Sequence, residues 1–174
     1  MTRWIVPILV FIGTVIVAWH ATLLITTFGL MEGAVRRISA KTGLNVMAYG
    51  NLASPTNQPI VRPSPDLAYS TCPFDLSAGP LLINVFPVAG RYSSLSVFDG
   101  RTDVVFVRND VQAGGKPFKI AVALTEQKVP NGIETVRVHY SRGIALIRLL
   151  LADPREIAQL DSVRRQSNCA TIRS

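Results

Sequence analysis

The densest group of polar side chains lies between residues 62 and 99. Its members carry charge or a phenolic hydroxyl, and they are Arg62, Asp66, Tyr69, Asp75, Arg91 and Asp99. Acidic, basic and phenolic groups at this spacing predict either structural ion pairs that fix an extended arm to a sheet, or a pocket for a ligand or partner. Of these two interpretations we favour structural ion pairs.

The sequence contains no recognised catalytic motif. It contains no P-loop, dinucleotide-binding glycine fingerprint, His-Glu-x-x-His motif or nucleophile elbow. Two cysteines and two histidines exclude a multi-cysteine zinc module and a histidine-rich centre. We expect His139 to be an outward-facing strand residue, and Asp99 and Asp103 to serve a turn. No catalytic residue, metal or cofactor is therefore predicted.

The two cysteines, Cys72 and Cys169, could pair. Their bond would close a loop near 100 residues, worth about 4–5 kcal/mol in the chain-entropy model. Such a bond persists only outside the cytoplasm. Two unpaired thiols are the alternative.

The hydrophobic content of 48% is concentrated near the N-terminus, where residues 4–31 carry no formal charge. A helix of this length reaches about 42 Å, more than the roughly 30 Å of a bilayer's hydrocarbon core. The run is about twice as long as the apolar part of a signal peptide, and it lacks a small-x-small cleavage site near its middle. We therefore predict an uncleaved transmembrane anchor over residues 1–31.

The charges that flank this anchor bear on its orientation. Arg3 precedes it, whereas Arg36, Arg37 and Lys41 follow it. Counted literally, these charges place the C-terminal part in the cytoplasm. Alternatively, residues 32–41 form an amphipathic segment that lies along anionic headgroups.

The rest of the chain is predicted to be mainly β. A proline-rich stretch over residues 50–65 indicates an extended linker, so that residues 32–65 form a membrane-proximal helix and linker. Residues 66–174 then form the β-domain. Short apolar runs predict strands at 81–85, 92–98, 103–108, 118–124 and 133–140, with a final strand in 143–152 and a C-terminal helix from Pro154 to about Gln166. Asp99-Gly100 predicts a two-residue hairpin turn. This spacing is typical of an antiparallel β-sandwich or jelly-roll-like barrel.

The net charge of +7 raises the question of nucleic-acid binding. The basic residues are scattered singly, however, and no aromatic stacking pattern accompanies them. Membrane lipid is the more available anionic partner of a tethered domain. We predict no nucleic-acid partner.

Several short motifs occur in an order and spacing that are typical of one family. They are Arg62-Pro63-Ser64-Pro65-Asp66-Leu67-Ala68-Tyr69-Ser70, Asp75-Leu76-Ser77-Ala78-Gly79-Pro80, Arg91-Tyr92, Leu95-Ser96-Val97-Phe98-Asp99 and Thr102-Asp103. Through them the sequence resembles the bacterial family called domain of unknown function 1254, over roughly residues 43–165. The resemblance implies a β-sandwich of unassigned activity, with no catalytic residues to carry over. Members are often joined to a companion β-domain, domain of unknown function 1214, which we expect here on a separate polypeptide.

These observations predict a single-pass bacterial inner-membrane protein whose β-domain is exported to the periplasm. The disulfide and the family context favour export, against the flank-charge count. We expect an interaction domain that assembles with the companion β-domain protein. One alternative is an enzyme whose site forms at that interface from Asp66, Tyr69 and Arg91. Another is a small-molecule or lipid-binding sandwich.

Overall fold

The computed structural model describes residues 2–54, 56 and 63–172. Arg62 of the predicted polar cluster lies outside these residues. The elements are α1 (Ile5–Thr42), β1 (Ala48–Tyr49), β2 (Leu67–Asp75), β3 (Leu81–Val85), β4 (Ser93–Phe98), β5 (Val104–Asn109), β6 (Phe118–Leu124), β7 (Glu134–Val138), β8 (Arg142–Leu150), α2 (Ile157–Arg164) and β9 (Asn168–Thr171).

The strands form two sheets that enclose one main core. The first has the order β1-β2-β8-β4-β5 and is antiparallel throughout, and the second has the order β7-β6-β3-β9. Alternate side chains of both sheets point into the space between them, as the period of two requires. The largest fully buried ones include Phe74, Leu81, Ile83, Leu95 and Ile120. The predicted fold class, a mainly β domain with an N-terminal apolar helix and a C-terminal helix, is confirmed.

Strand β2 is the largest departure from the sequence prediction, which had no strand before residue 81. Instead β2 pairs with β8 along its whole length, from Leu67 to Asp75. Pro73 lacks an N–H, but this strand tolerates it because its nitrogen faces away from β8. The Pro73 carbonyl shows this direction, since it accepts from the Asn45 N–H on the side away from β8. Strand β1 has already ended on that side, so the pairing with β8 loses no hydrogen bond.

Three smaller predictions were also wrong. Strands β6 and β7 pair in parallel, because residues 125–133 cross from one end of the sheet to the other. Strand β8 is not the last, because the short polar strand β9 follows α2 and pairs with β3. The β4–β5 connection is longer than two residues, because the Asp99 carboxylate accepts hydrogen bonds from the backbone N–H groups of Arg101 and Asp103 and so closes a wider loop.

The C-terminal helix begins as its sequence predicts. The Asp153 side chain accepts a hydrogen bond from the Arg155 N–H, and Pro154 opens a short 3-10 turn that leads into α2. An aspartate cap followed by proline suits a helix start because the first N–H groups have no partner inside the helix. The prediction of a helix that starts at Pro154 is confirmed.

Candidate functional site

The C-terminal third of α1 lies on the outer face of the five-stranded sheet, and we call this contact the helix–sheet junction. Residues 5–26 of the helix are exposed, whereas Met31 and Val35 are only 6% and 1% exposed. Both pack in a small apolar cluster with Ile144 of β8, and Phe98 lies at its edge. The apolar side of residues 32–41 therefore contacts the domain, whereas Arg36, Arg37 and Lys41 are exposed.

A chain of ion pairs borders this apolar cluster. The Arg142 Nη1 donates to Glu32 Oε1 at 2.6 Å, and its Nε donates to Asp75 Oδ2 at 2.8 Å. Glu32 also accepts from Arg36 Nε, one turn further along α1, at 2.7 Å. One guanidinium thus joins the helix to two strands of the sheet, and the planar fork of arginine suits such double pairing.

Asp75 is the best-connected member of this network. Burial by itself raises its pKa, but hydrogen bonds from Ser77 and Arg142 outweigh burial and hold the pKa below its ordinary value. The hydrogen bond to Asp75, and after it the one to Glu32, raises the pKa of Arg142 above its ordinary value. Both partners are therefore charged at neutral pH, as a structural ion pair requires.

The turn after α1 is fixed to the same place. Asn45 adopts a left-handed conformation at φ 59°, in which asparagine is better tolerated than most residues. Its side chain donates to the Asp75 carbonyl and accepts from the Asp75 N–H, both at 2.9 Å. The helix end, the turn and β2 are consequently bound together, so the helix meets the sheet in one defined orientation.

A second buried cluster lies near the start of β2, at the other end of this strand from Asp75. Arg164 of α2 is 6% exposed, pairs with Asp161, and donates to the carbonyls of Gly50 and Tyr69 at 3.0 and 3.3 Å. The Tyr49 hydroxyl donates to the Ser167 carbonyl at 2.5 Å. This cluster has a structural role, because every charge and donor in it is satisfied within the domain. Nothing in the sequence distinguished Arg164 from the other scattered basic residues.

A disulfide bond joins Cys72 of β2 to Cys169 of β9. The two strands belong to different sheets, so the bond connects the two layers of the sandwich. Both cysteines are buried.

The predicted polar residues separate into two groups at opposite ends of the five-stranded sheet. Asp66, Tyr69 and Arg91 lie where β2 and β4 begin, whereas Asp75 and Asp99 lie where these strands end. The ends of the nine-residue strand β2 are about 26 Å apart at 3.3 Å per residue. The described members therefore do not meet in one site.

The described members of the predicted polar set make separate contacts or are exposed to solvent. Arg91 Nη2 pairs with Glu156 at 2.5 Å, and Asp99 is used by the β4–β5 loop. The Tyr69 hydroxyl accepts from the Ser64 N–H at 2.9 Å, and Asp66 is exposed. Among the residues that the structure describes, no three His, Cys, Asp or Glu side chains converge to hold a metal ion.

Comparisons with known proteins bear separately on the fold and on the family. The chain is similar in structure to the VPA0106 protein from Vibrio parahaemolyticus, with a TM-score of 0.65 and 17% identity over 87% of this chain. A putative uncharacterized protein from Burkholderia cenocepacia is similar with a TM-score of 0.49 and 15% identity, over 88% of this chain and 41% of the other. This chain covers 37% of the length of the Vibrio protein. No curated protein matches it in sequence. The model of the family "Protein of unknown function (DUF1254)" matches residues 44–171, which is most of the chain, and the chain therefore belongs to that family.

Proposed function

We propose that the chain is a single-pass protein of a bacterial inner membrane that carries its β-sandwich in the periplasm and uses it as an interaction domain. Helix α1 is long and apolar enough to cross a membrane. The proposal rests on one observation: this helix continues without a break from its exposed apolar part into the helix–sheet junction. The sandwich would therefore be held at a fixed orientation to the bilayer.

The exposed part of α1 has the dimensions of a membrane span. Residues 5–26 extend about 33 Å at 1.5 Å per residue, close to the roughly 30 Å of the hydrocarbon core. Their large apolar side chains, from Ile5 to Ile25, are 47–72% exposed. Exposed apolar surface of this extent is costly in water and favourable in lipid. Lipid is accordingly the first partner in the proposal.

Export of the domain is supported by its disulfide. The bond between Cys72 and Cys169 is expected to persist in the periplasm, whereas cytoplasmic reductants keep thiols reduced. The charges of Arg36, Arg37 and Lys41 argue the other way. Arg36 is held by Glu32, so it is partly neutralised in the folded protein.

Site-directed thiol labelling of intact cells tests the orientation. Because the native cysteines are paired and buried, a single new cysteine reports its own side of the membrane. We expect Val111→Cys, at a site that is 77% exposed, to react with a membrane-impermeant maleimide in intact cells. The matched variant Thr2→Cys should react only after the cells are permeabilised. The reverse pattern would refute export.

The interaction partner in this proposal is a second polypeptide that carries the companion domain of unknown function 1214. Support comes from edge strand β5, where Val104 and Val107 are each 54% exposed. Exposed apolar residues on an unpaired edge are typical of a surface that another chain covers.

Photo-crosslinking in cells tests this partner. A photoreactive amino acid at Val107 should give a crosslinked product that mass spectrometry identifies as a protein with the companion domain. The control position is Lys128, which is exposed on another loop and should not give this product. A product from both positions, or from neither, would contradict the proposed partner.

A further inference from the structure

Four neighbouring strands place four polar side chains in one row on the outer face of the five-stranded sheet. Across this row Asn109 of β5 lies opposite Ser94 of β4, Ser94 lies opposite Arg148 of β8, and Arg148 lies opposite Tyr69 of β2. Side chains directly opposite each other in antiparallel strands lie on the same face, about 4.5–5.5 Å apart at Cβ. We call these four residues the donor row.

The outward direction of the row follows from the residues beside it. Leu95 and Ile147, which follow Ser94 and precede Arg148, point into the core between the sheets. Because side chains alternate along a strand, Ser94 and Arg148 point to the opposite face. The row is therefore outside the main core, and Arg148 is partly exposed there.

The hydrogen-bonding capacity of the donor row is largely unused. Ser94 is 3% exposed, and its hydroxyl has no hydrogen-bond partner among the residues that the structure describes. Among the described contacts, no hydrogen bond or ion pair reaches the Arg148 guanidinium. The Tyr69 hydroxyl accepts from the Ser64 N–H, which leaves its own hydrogen free to donate. The Asn109 carbonyl oxygen is taken by the Gln112 N–H, which leaves its amide hydrogens free.

Each of these free groups can donate a hydrogen bond, and one of them is a cation. A buried hydroxyl without a partner destabilises a fold, and almost all such groups are satisfied in proteins. Nearby carboxylates do not pair with Arg148 in the described part of the chain. Asp110, next to Asn109, accepts from the Ser93 N–H, Asp153 pairs with Arg155, and Asp66 lies one residue before β2. Among the described residues, the row therefore has no acceptor with negative charge.

We propose that the donor row binds a small oxyanion, a phosphate or carboxylate group, with Arg148 as its charged centre and Ser94 and Tyr69 as hydrogen-bond donors beside it. Arginine is well suited to this task because its fork of N–H groups matches two oxygens of a carboxylate or phosphate. The serine and tyrosine hydroxyls on the two flanking strands would fix the anion from both sides.

The anion is a soluble one and not a headgroup of the membrane that α1 enters. Arg142 marks the helix–sheet junction, and Arg148 lies six residues further along the same strand. At about 3.3 Å per residue the two positions are roughly 20 Å apart. The exposed part of α1 leaves the sheet beyond Tyr140, which packs on Phe28, and so on the side away from Arg148. The donor row is therefore at the membrane-distal end of the sheet.

Titration calorimetry on the full chain in a neutral detergent tests the proposal, with inorganic phosphate and acetate as probes and dihexanoyl phosphatidic acid as the lipid arm. We expect saturable binding of phosphate that Arg148→Gln weakens about tenfold or more and Ser94→Ala weakens several-fold. Lys116→Gln removes an exposed positive charge from a loop and should leave the affinity unchanged.

The other outcomes overturn the proposal. If neither phosphate nor acetate binds, the donor row holds only water. If only the phosphatidic acid binds, the soluble source is wrong. If Arg148→Gln and Lys116→Gln lose the same affinity, the effect is one of net charge and not of a site. Circular dichroism of each variant verifies that it is folded, and none of these results depends on the orientation of the domain or its companion protein.

Discussion

The bond between Cys72 and Cys169 ties a central strand of one sheet to an edge strand of the other, across a sequence separation of 97 residues. In the chain-entropy model, a loop of that length stabilises the folded state by about 4–5 kcal/mol. The double variant Cys72→Ala/Cys169→Ala should lose about that free energy of unfolding. For a domain of this size the loss lowers the melting temperature by about 10–20 °C.

Thermal unfolding followed by circular dichroism measures this loss, and the two single variants supply the control. Because either substitution alone removes the bond, Cys72→Ala, Cys169→Ala and the double variant should be destabilised to a similar extent. In these variants hydrogen exchange should show faster opening of β9 than in the native protein, since this short edge strand loses its covalent link to β2. A double variant within about 1 kcal/mol of the native protein, or single effects that add up, would refute the reasoning.

Three further predictions concern glycine packing, a buried hydroxyl and pH. Gly143→Ala should destabilise by at least about 3 kcal/mol, because its Cβ would lie 2.2 Å from a backbone carbonyl of the neighbouring strand. In the control Gly33→Ala, the Cβ meets nothing within 4 Å, so that helical site should gain up to about 1 kcal/mol. Denaturant unfolding checks both. In phosphate-free buffer Ser94→Ala should raise the free energy of unfolding by about 1 kcal/mol, since it removes an unpartnered buried hydroxyl, and a loss of stability would contradict this. Because the folded-state pKa of Asp75 is depressed, its stabilising effect is complete above about pH 5 and is lost as the pH falls below about 4. Melting temperatures from pH 7 to pH 3 should therefore fall less steeply in Asp75→Asn, and a slope equal to that of the native protein would count against the pair with Arg142.

The parts of the fold that could be predicted from sequence are those with a local signal. Strands β3 and β6 have the predicted bounds, because apolar residues alternate between clear turn residues there. The start of the C-terminal helix followed from Asp153-Pro154, which satisfies the first N–H groups locally. The long apolar run predicted α1 by composition alone.

Strand β2 could not be predicted because its signal is not local. It contains a proline and several small polar residues, and these are stable in a strand only because β8 pairs with all nine positions. The same holds for β9, whose four residues carry no periodicity and depend on β3 and the disulfide. The candidate site shows this limit again: Asp75 could be named from sequence, but its partners Glu32 and Arg142 come from distant parts of the chain.

The sequence by itself determined the long apolar helix, the β-rich class of the domain, the family, and the two cysteines that could pair. Each depends on composition, on short periodic runs, or on motifs that lie close together along the chain. Only the tertiary structure decided that α1 docks on the sheet, that the polar residues of the family motifs lie at two opposite ends of it, and that Ser94, Arg148 and Tyr69 stand side by side. The physical reason is strand register: antiparallel pairing brings residues dozens of positions apart to within about 5 Å, and hydrogen bonds and packing along the whole sheet select that pairing.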